Sequence, residues 1–215
     1  MQNNIKYRLF GRSKGRGKKN TITNEVKKIK INKKIDPSAY NIIDIGAGYG
    51  ESTLDIAKSD SNKFVIACEK YIDGINNIAK NKSINSLSNI SIFHGNVHQL
   101  LDEYCQNKSI SEIWILFPDP WPKKRHFKRR LINVFFLKKI KKYLKEKAVI
   151  HIASDSKAYI SDILTSIYIV KKDFEWINQD KHDWNYSNLA LPKTKYFQKA
   201  QKKGLKSFYL KLIKL

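Results

Sequence analysis

Residues 117–130 read Phe-Pro-Asp-Pro-Trp-Pro-Lys-Lys-Arg-His-Phe-Lys-Arg-Arg. Three prolines in five residues fix φ near −65° and restrict the residues that precede them, so the segment is a stiff loop. A stiff loop holds Asp119 and Trp121 in place before a substrate arrives, which suits catalysis by orientation. Six of the eight residues from 123 to 130 are Lys or Arg. Lys124, Arg125, Lys128, Arg129 and Arg130 are therefore candidate contacts to nucleic-acid phosphates, each adding affinity and salt sensitivity. The plainer alternatives are a turn around a buried Trp and a solvated basic face.

A second constellation lies earlier. Asp44-Ile45-Gly46-Ala47-Gly48-Tyr49-Gly50 follows a short apolar run and opens a helical pattern. Gly46 and Gly48 let the backbone turn tightly and approach a ligand closely. The spacing is G-x-G-x-G, not the G-x-G-x-x-G of dinucleotide folds. A pyrophosphate would be repelled by the carboxylate of Asp44, whereas a sulfonium ligand that also carries an ammonium group would be favoured. Glu69, 25 residues on, closes the next apolar run, where an acid accepts hydrogen bonds from ribose hydroxyls. Asn96 follows the third run, where an amide can meet an adenine edge. Taken singly these are a strand-to-helix turn, a surface acid and a turn residue. Together they outline a nucleoside pocket that suits S-adenosylmethionine better than NAD.

Such residues need elements to hold them. Apolar runs at 41–45, 64–68, 90–93, 113–117 and 148–152 predict buried strands. Helical patterns begin at 52 and cover 72–81, 97–104, about 130–144 and 158–167. This alternation implies parallel βαβ units whose strands are covered on both faces. Residues 174–177 and 207–212 predict two further strands, joined by a long polar loop and paired antiparallel. The expected fold is α/β: a Rossmann-like class I methyltransferase with a central, mostly parallel sheet, helices on both faces and a C-terminal antiparallel strand pair. Residues 1–34 are basic and poor in large apolar side chains, and predict a flexible arm before a single domain over 35–215.

The chain has 215 residues, with 42 Lys and Arg against 19 Asp and Glu, a formal charge of +23. That balance points to a polyanionic partner, nucleic acid before an anionic membrane. No apolar run approaches the ~20 residues of a spanning helix. Cys68 and Cys105 read as reduced, buried residues of a cytoplasmic protein. His94 and His98 lack the accompanying Cys or acid pattern of a metal site, and no metal is expected. Part of the Lys excess reads as compositional drift alongside the many Asn and Ile residues.

The segment at 117–130 resembles the central motif of the bacterial tRNA (guanine-N7)-methyltransferase family. The resemblance runs from about Asp44 to the C-terminus, supported by residues 44–50, by Ser154-Asp155 and by Pro192-Lys193-Thr194-Lys195-Tyr196. It implies S-adenosylmethionine as cofactor and tRNA as partner, with N7 of guanine 46 in the variable loop as target. In the family the motif faces the cofactor's methyl group, so Asp119 is expected to fix guanine or the cofactor's amino group, as catalytic and cofactor-binding residue. Lys123, Asp155, Thr194, Lys195, Tyr196 and Phe197 are expected at the substrate. One departure is visible: the family usually has Glu where this chain has Phe197, so a role for that Glu would fall to a neighbour such as Gln198. Trp184, Tyr186 and Tyr196 can stack on exposed bases or fill the core. Methylation of an exocyclic base amine, or RNA binding without catalysis, are the competing functions. Monomer and homodimer both remain open.

Overall fold

The computed structural model describes residues 21–215. The basic residues at the start of the expected flexible arm (Arg8, Arg12, Lys14, Arg16, Lys18, Lys19) lie outside the described residues. The chain divides into two compact units, Met1–Gln106 and Asn107–Leu215.

In the first unit, β1 (Tyr40–Ile45), β2 (Lys63–Glu69) and β3 (Ile90–His94) lie parallel in the order β3-β2-β1. Ile42, Ile43, Val65, Ile66, Ile90 and Ile92 are all buried, as the continuous apolar runs require. Helices α2 (Glu51–Ser59), α3 (Ile72–Ile84) and α4 (Val97–Tyr104) follow the three strands in turn. The segment expected as an arm to residue 34 is structured from 24 onward. Asn24–Ile29 forms α1, and Lys30 then bridges Ile92 on β3. Val26, Ile31 and Ile35 are buried while Lys27, Lys28, Lys30, Lys33 and Lys34 are exposed. Three apolar anchors spaced four or five residues apart dock this stretch, and its lysines line the outer side of a strand edge, a common way of blunting such edges.

In the second unit the order is β4-β5-β7-β6, with β4 (Ile110–Leu116) parallel to β5 (Leu144–Ser154). β7 (Phe208–Lys214) runs antiparallel to β5 and to β6 (Phe174–Trp176). This is the expected terminal pair. A buried polar network ties three of these strands. Glu112 Oε2 accepts from Trp114 Nε1 at 3.0 Å and lies 3.4 Å from His151 Nε2, and His151 Nδ1 meets the Tyr209 hydroxyl at 2.7 Å. Satisfied networks of this kind rigidify a core.

Two local expectations change. The helix expected over 130–144 is shorter, α5 spanning Val134–Lys141. Asn133 caps it by accepting from the Phe136 amide at 3.0 Å, and a 3-10 turn at Lys124–Arg129 precedes it. The long loop before β7 contains α7 (Lys195–Lys202), capped by Thr194, while α6 (Lys157–Ile169) lies where expected.

Candidate active site

The first unit gathers five of the expected residues at the carboxyl ends of adjacent strands. Ile45 pairs with Cys68 and Glu69 with His94, so Asp44, the glycine turn, Glu69 and Asn96 leave neighbouring strand ends. That is where open α/β sheets take their ligands. Gly46, Gly48 and Gly50 have φ of +75°, +56° and +86°, the left-handed region where a side chain is strained. A Cβ on Gly46 would meet nothing within 4 Å, so a ligand can lie against the backbone there. A Cβ on Gly50 would instead stand 2.3 Å from Ile78, which makes that glycine a requirement of close helix contact.

Glu69 organises the turn. One carboxylate oxygen accepts from Gly48 N at 2.8 Å, and the other from Lys70 N at 2.7 Å and Tyr71 N at 2.9 Å. Asn96 caps α4, accepting from His98 N at 2.8 Å. Asp44 is buried, and its Oδ2 accepts from the hydroxyls of Ser52 and Thr53, both at 2.6 Å. These bonds anchor the first turn of α2 to β1. Burial lifts the Asp44 carboxyl to about 6, against the pull of those two hydroxyls. The folded chain therefore holds this proton more tightly than the unfolded chain, whose value is near 3.8. The stability this group contributes is present below about pH 4 and is lost as pH rises through about 6. Asp44→Asn removes the dependence. The melting temperature of the variant relative to wild type is expected to climb between pH 4 and pH 8, and a constant offset across that range would contradict the shift. Cys68 and Cys105 are buried, with thiols pushed up by desolvation, Cys105 to about 12.

The second unit gathers the rest. The loop after β4 is held at both ends by non-glycine residues at positive φ, Phe117 at +54° and Trp121 at +42°. Such residues cost on the order of 1–2 kcal/mol each and persist where surroundings impose them. Phe117 N donates to Ala153 O at 2.8 Å, so the 117–123 loop and Asp155 leave adjacent strand ends. The Phe117 ring also meets Tyr186 at 5.4 Å and Phe197 at 6.3 Å, which brings α7 to the same place. The three blocks that carried the family resemblance in this unit are thus neighbours. Asp119, Lys123, Lys124, Arg125, Lys128, Lys195 and Tyr196 are exposed and Asp155 is half-buried. Arg129 lies over the Trp121 ring at 4.9 Å. His126 meets Trp121 edge-on, and its partial burial and the neighbouring Arg129, Arg125 and Lys123 hold it below the ordinary imidazole range, so it adds no charge to the run.

Three expected substrate or RNA contacts are buried in this structure. Phe197 is buried against Phe117 and Tyr186, because α7 is amphipathic and turns 197 and 200 inward. Thr194 is buried, its hydroxyl accepting from Phe197 N at 3.2 Å as the helix cap. Arg130 is 4% exposed and fully engaged within the unit, so it does not present itself to RNA. Tyr186 is core, and Trp184 packs on Trp176 at 5.4 Å, leaving Tyr196, 55% exposed, as the available aromatic among the three. The apolar spacing of Phe197 and Ala200 behind a Thr cap was a readable helix signal. Nothing in the basic run distinguishes a buried Arg from its exposed neighbours.

Residues 38–210 match the family model Methyltransf_4, described as "Putative methyltransferase". The chain is 34% identical over 174 residues to the tRNA (guanine-N(7)-)-methyltransferase of Buchnera aphidicola subsp. Schizaphis graminum, covering 80% of this chain and 72% of that one. Among solved structures, the 16S rRNA methyltransferase KamB superposes with a TM-score of 0.60 at 13% identity, over 83% of this chain and 90% of that one. P. horikoshii TYW2 in complex with MeSAdo gives 0.51 at 18% identity, over 89% and 61%. At these identities the structural likenesses show the fold alone, which is the Rossmann-like methyltransferase fold expected above.

Proposed function

The chain belongs to the bacterial tRNA (guanine-N(7)-)-methyltransferase family, and on that footing we propose that it transfers the methyl group of S-adenosylmethionine to N7 of guanine 46 in the tRNA variable loop. The observation that carries the reading is the pairing of two features: a G-x-G-x-G turn held by Glu69, and a rigid Pro-Asp-Pro-Trp-Pro loop followed by exposed cations. The family model runs through both compact units, which supports one methyltransferase domain from 35 to 215.

When bound, S-adenosylmethionine supplies an electrophilic sulfonium methyl, which guanine N7 accepts through its lone pair with no proton to remove. The chain's own task is therefore orientation and charge placement. The open backbone at Gly46 admits the cofactor, and Glu69 is placed for the ribose hydroxyls while it keeps the turn in shape. Asp44, ionised above about pH 6, keeps a negative charge beneath the turn, where a cationic ligand gains from it. Asn96 stands at the third strand end for the adenine. Asp119 fixes guanine or the cofactor's amino group, Lys123 and Asp155 position the target nucleotide with Lys195 and Tyr196, and Lys124, Arg125, Lys128 and Arg129 meet phosphates. No helix among the described residues is long and apolar enough to cross a membrane. A tRNA substrate supports the expectation of a cytoplasmic enzyme.

The test is the nucleoside formed. With labelled cofactor and tRNA, label should appear in 7-methylguanosine. Label in an exocyclic methylamine, or RNA binding with no transfer, would select one of the competing functions instead.

A further inference from the structure

Arg130 closes a run of cations but faces inward. Its Nε donates to the Pro120 carbonyl at 2.7 Å, and its Nη1 bonds and ion-pairs with Asp162 on α6. The guanidinium lies 3.8 Å from the centre of the Phe127 ring and 5.1 Å from that of Tyr159. Tyr159 in turn accepts from Ile132 N at 2.9 Å, and Asn133 Nδ2 donates to Arg130 O at 3.0 Å. The side chain is thus buried beside two aromatic rings and bonded through two of its nitrogens.

The carbonyl it grips matters. Pro120 sits between Asp119 and Trp121, and the Pro120–Trp121 peptide leads into the strained φ of +42°. A residue in that region stays there only if something holds it. Proline rings stiffen the loop internally but do not fix it to the rest of the unit. The Arg130 fork does, by tying the middle of the loop to α6.

We propose that Arg130, anchored by Asp162, is a positioning residue that sets the orientation of Asp119 and Trp121 for methyl transfer, and is not a phosphate contact. The assignment rests on the methyltransferase reading above. A guanidinium can donate along two divergent directions at once in a fixed plane, which an ammonium on a flexible stem does not reproduce. Lysine is therefore not an adequate replacement.

The experiment compares wild type, Arg130→Lys, Arg130→Met, Asp162→Asn and, as a phosphate-contact reference, Lys128→Ala. Four quantities are read: kcat and KM at saturating cofactor, the salt dependence of tRNA binding, the melting temperature, and the rate of tryptic cleavage after residues 123–125. Arg130→Lys and Arg130→Met should lower kcat by about 10- to 100-fold, the scale of a misplaced reacting group. The slope of log affinity against log salt should stay at the wild-type value, and tryptic cleavage in the loop should quicken. Asp162→Asn, at a half-exposed position where the change keeps size and shape, should shift kcat and cleavage the same way by a smaller factor. Lys128→Ala should do the reverse, lowering the slope of log affinity against log salt by roughly one while loop cleavage keeps its wild-type rate. If the Arg130 variants lose their melting transition, Asp162→Asn decides. The proposal is overturned if Asp162→Asn leaves kcat and loop cleavage unchanged, or if Arg130→Lys restores full turnover. A lowered salt slope with intact saturated turnover in the Arg130 variants would also overturn it. Wild-type protein that transfers no methyl would sink the functional reading, while loop cleavage would still report on the clamp.

Discussion

Replacing Asp119 by alanine is expected to lower turnover by roughly 10²-fold or more, with tRNA affinity changed less than about threefold. Asp119 is exposed at the centre of a loop that three prolines and two positive-φ residues hold in one shape. A carboxylate placed there at a cost in backbone strain is poorly explained by solubility alone. Its contribution falls on the step in which N7, the methyl carbon and sulfur align, and an interaction made chiefly in the transition state appears in kcat, not in binding. Asp119→Asn keeps one acceptor oxygen and should recover part of the rate if hydrogen bonding carries the effect. Single-turnover rates at saturating tRNA and cofactor give the comparison. A folded Asp119→Ala protein with wild-type turnover would remove Asp119 from the catalytic residues.

The second large effect is expected at Glu69. Its carboxylate accepts three backbone amides, and on the proposed reading it also accepts from the ribose hydroxyls of the cofactor. Hydrogen bonds to charged groups contribute about 1.5–3 kcal/mol each, so losing even one ribose contact predicts cofactor binding weaker by roughly ten- to a hundredfold. Glu69→Ala also releases Gly48 N and loosens the turn. Glu69→Gln retains one acceptor for the turn and separates the two effects, so it should bind cofactor more tightly than the alanine variant and more weakly than wild type. Calorimetry with the demethylated cofactor reads this directly, and tRNA affinity measured in parallel should stay within about twofold. Wild-type cofactor affinity in Glu69→Ala would move the ribose site elsewhere.

The strands were legible because a strand buried on both faces needs an unbroken apolar run, and 41–45, 64–68 and 90–93 are such runs. Their ends were legible too, since glycine at positive φ and an acid at a strand terminus leave marks in composition. β5 proved longer than its apolar core. It begins at Leu144, and Glu146 and Lys147 at its exposed start interrupt the run, Glu146 being paired with Lys108 and Lys214. The stretch from α1 to residue 35 was hidden by its lysines, because only three buried side chains dock it and five cations dominate its composition. The burial of Arg130 and Phe197 is not legible in the sequence, for a common reason. Position in a motif says which residues lie near a site, but which way each side chain faces is decided by contacts from α6 and from the 186 turn, far along the chain. The family departure at Phe197 has a structural account for this chain: the buried ring packs against Phe117, at the start of the loop after β4, and against Tyr186.

The central claim is that the methyl group goes to N7. Two transcripts of the same tRNA test it, one natural and one with 7-deazaguanine, which has carbon in place of N7, at the variable-loop target. Both are incubated with wild-type protein and labelled S-adenosylmethionine, digested to nucleosides and read by mass spectrometry. The account predicts 7-methylguanosine from the first transcript, approaching one methyl per tRNA, and no methylated nucleoside from the second. Equal methylation of the two transcripts, or a methylated exocyclic amine from either, would contradict it.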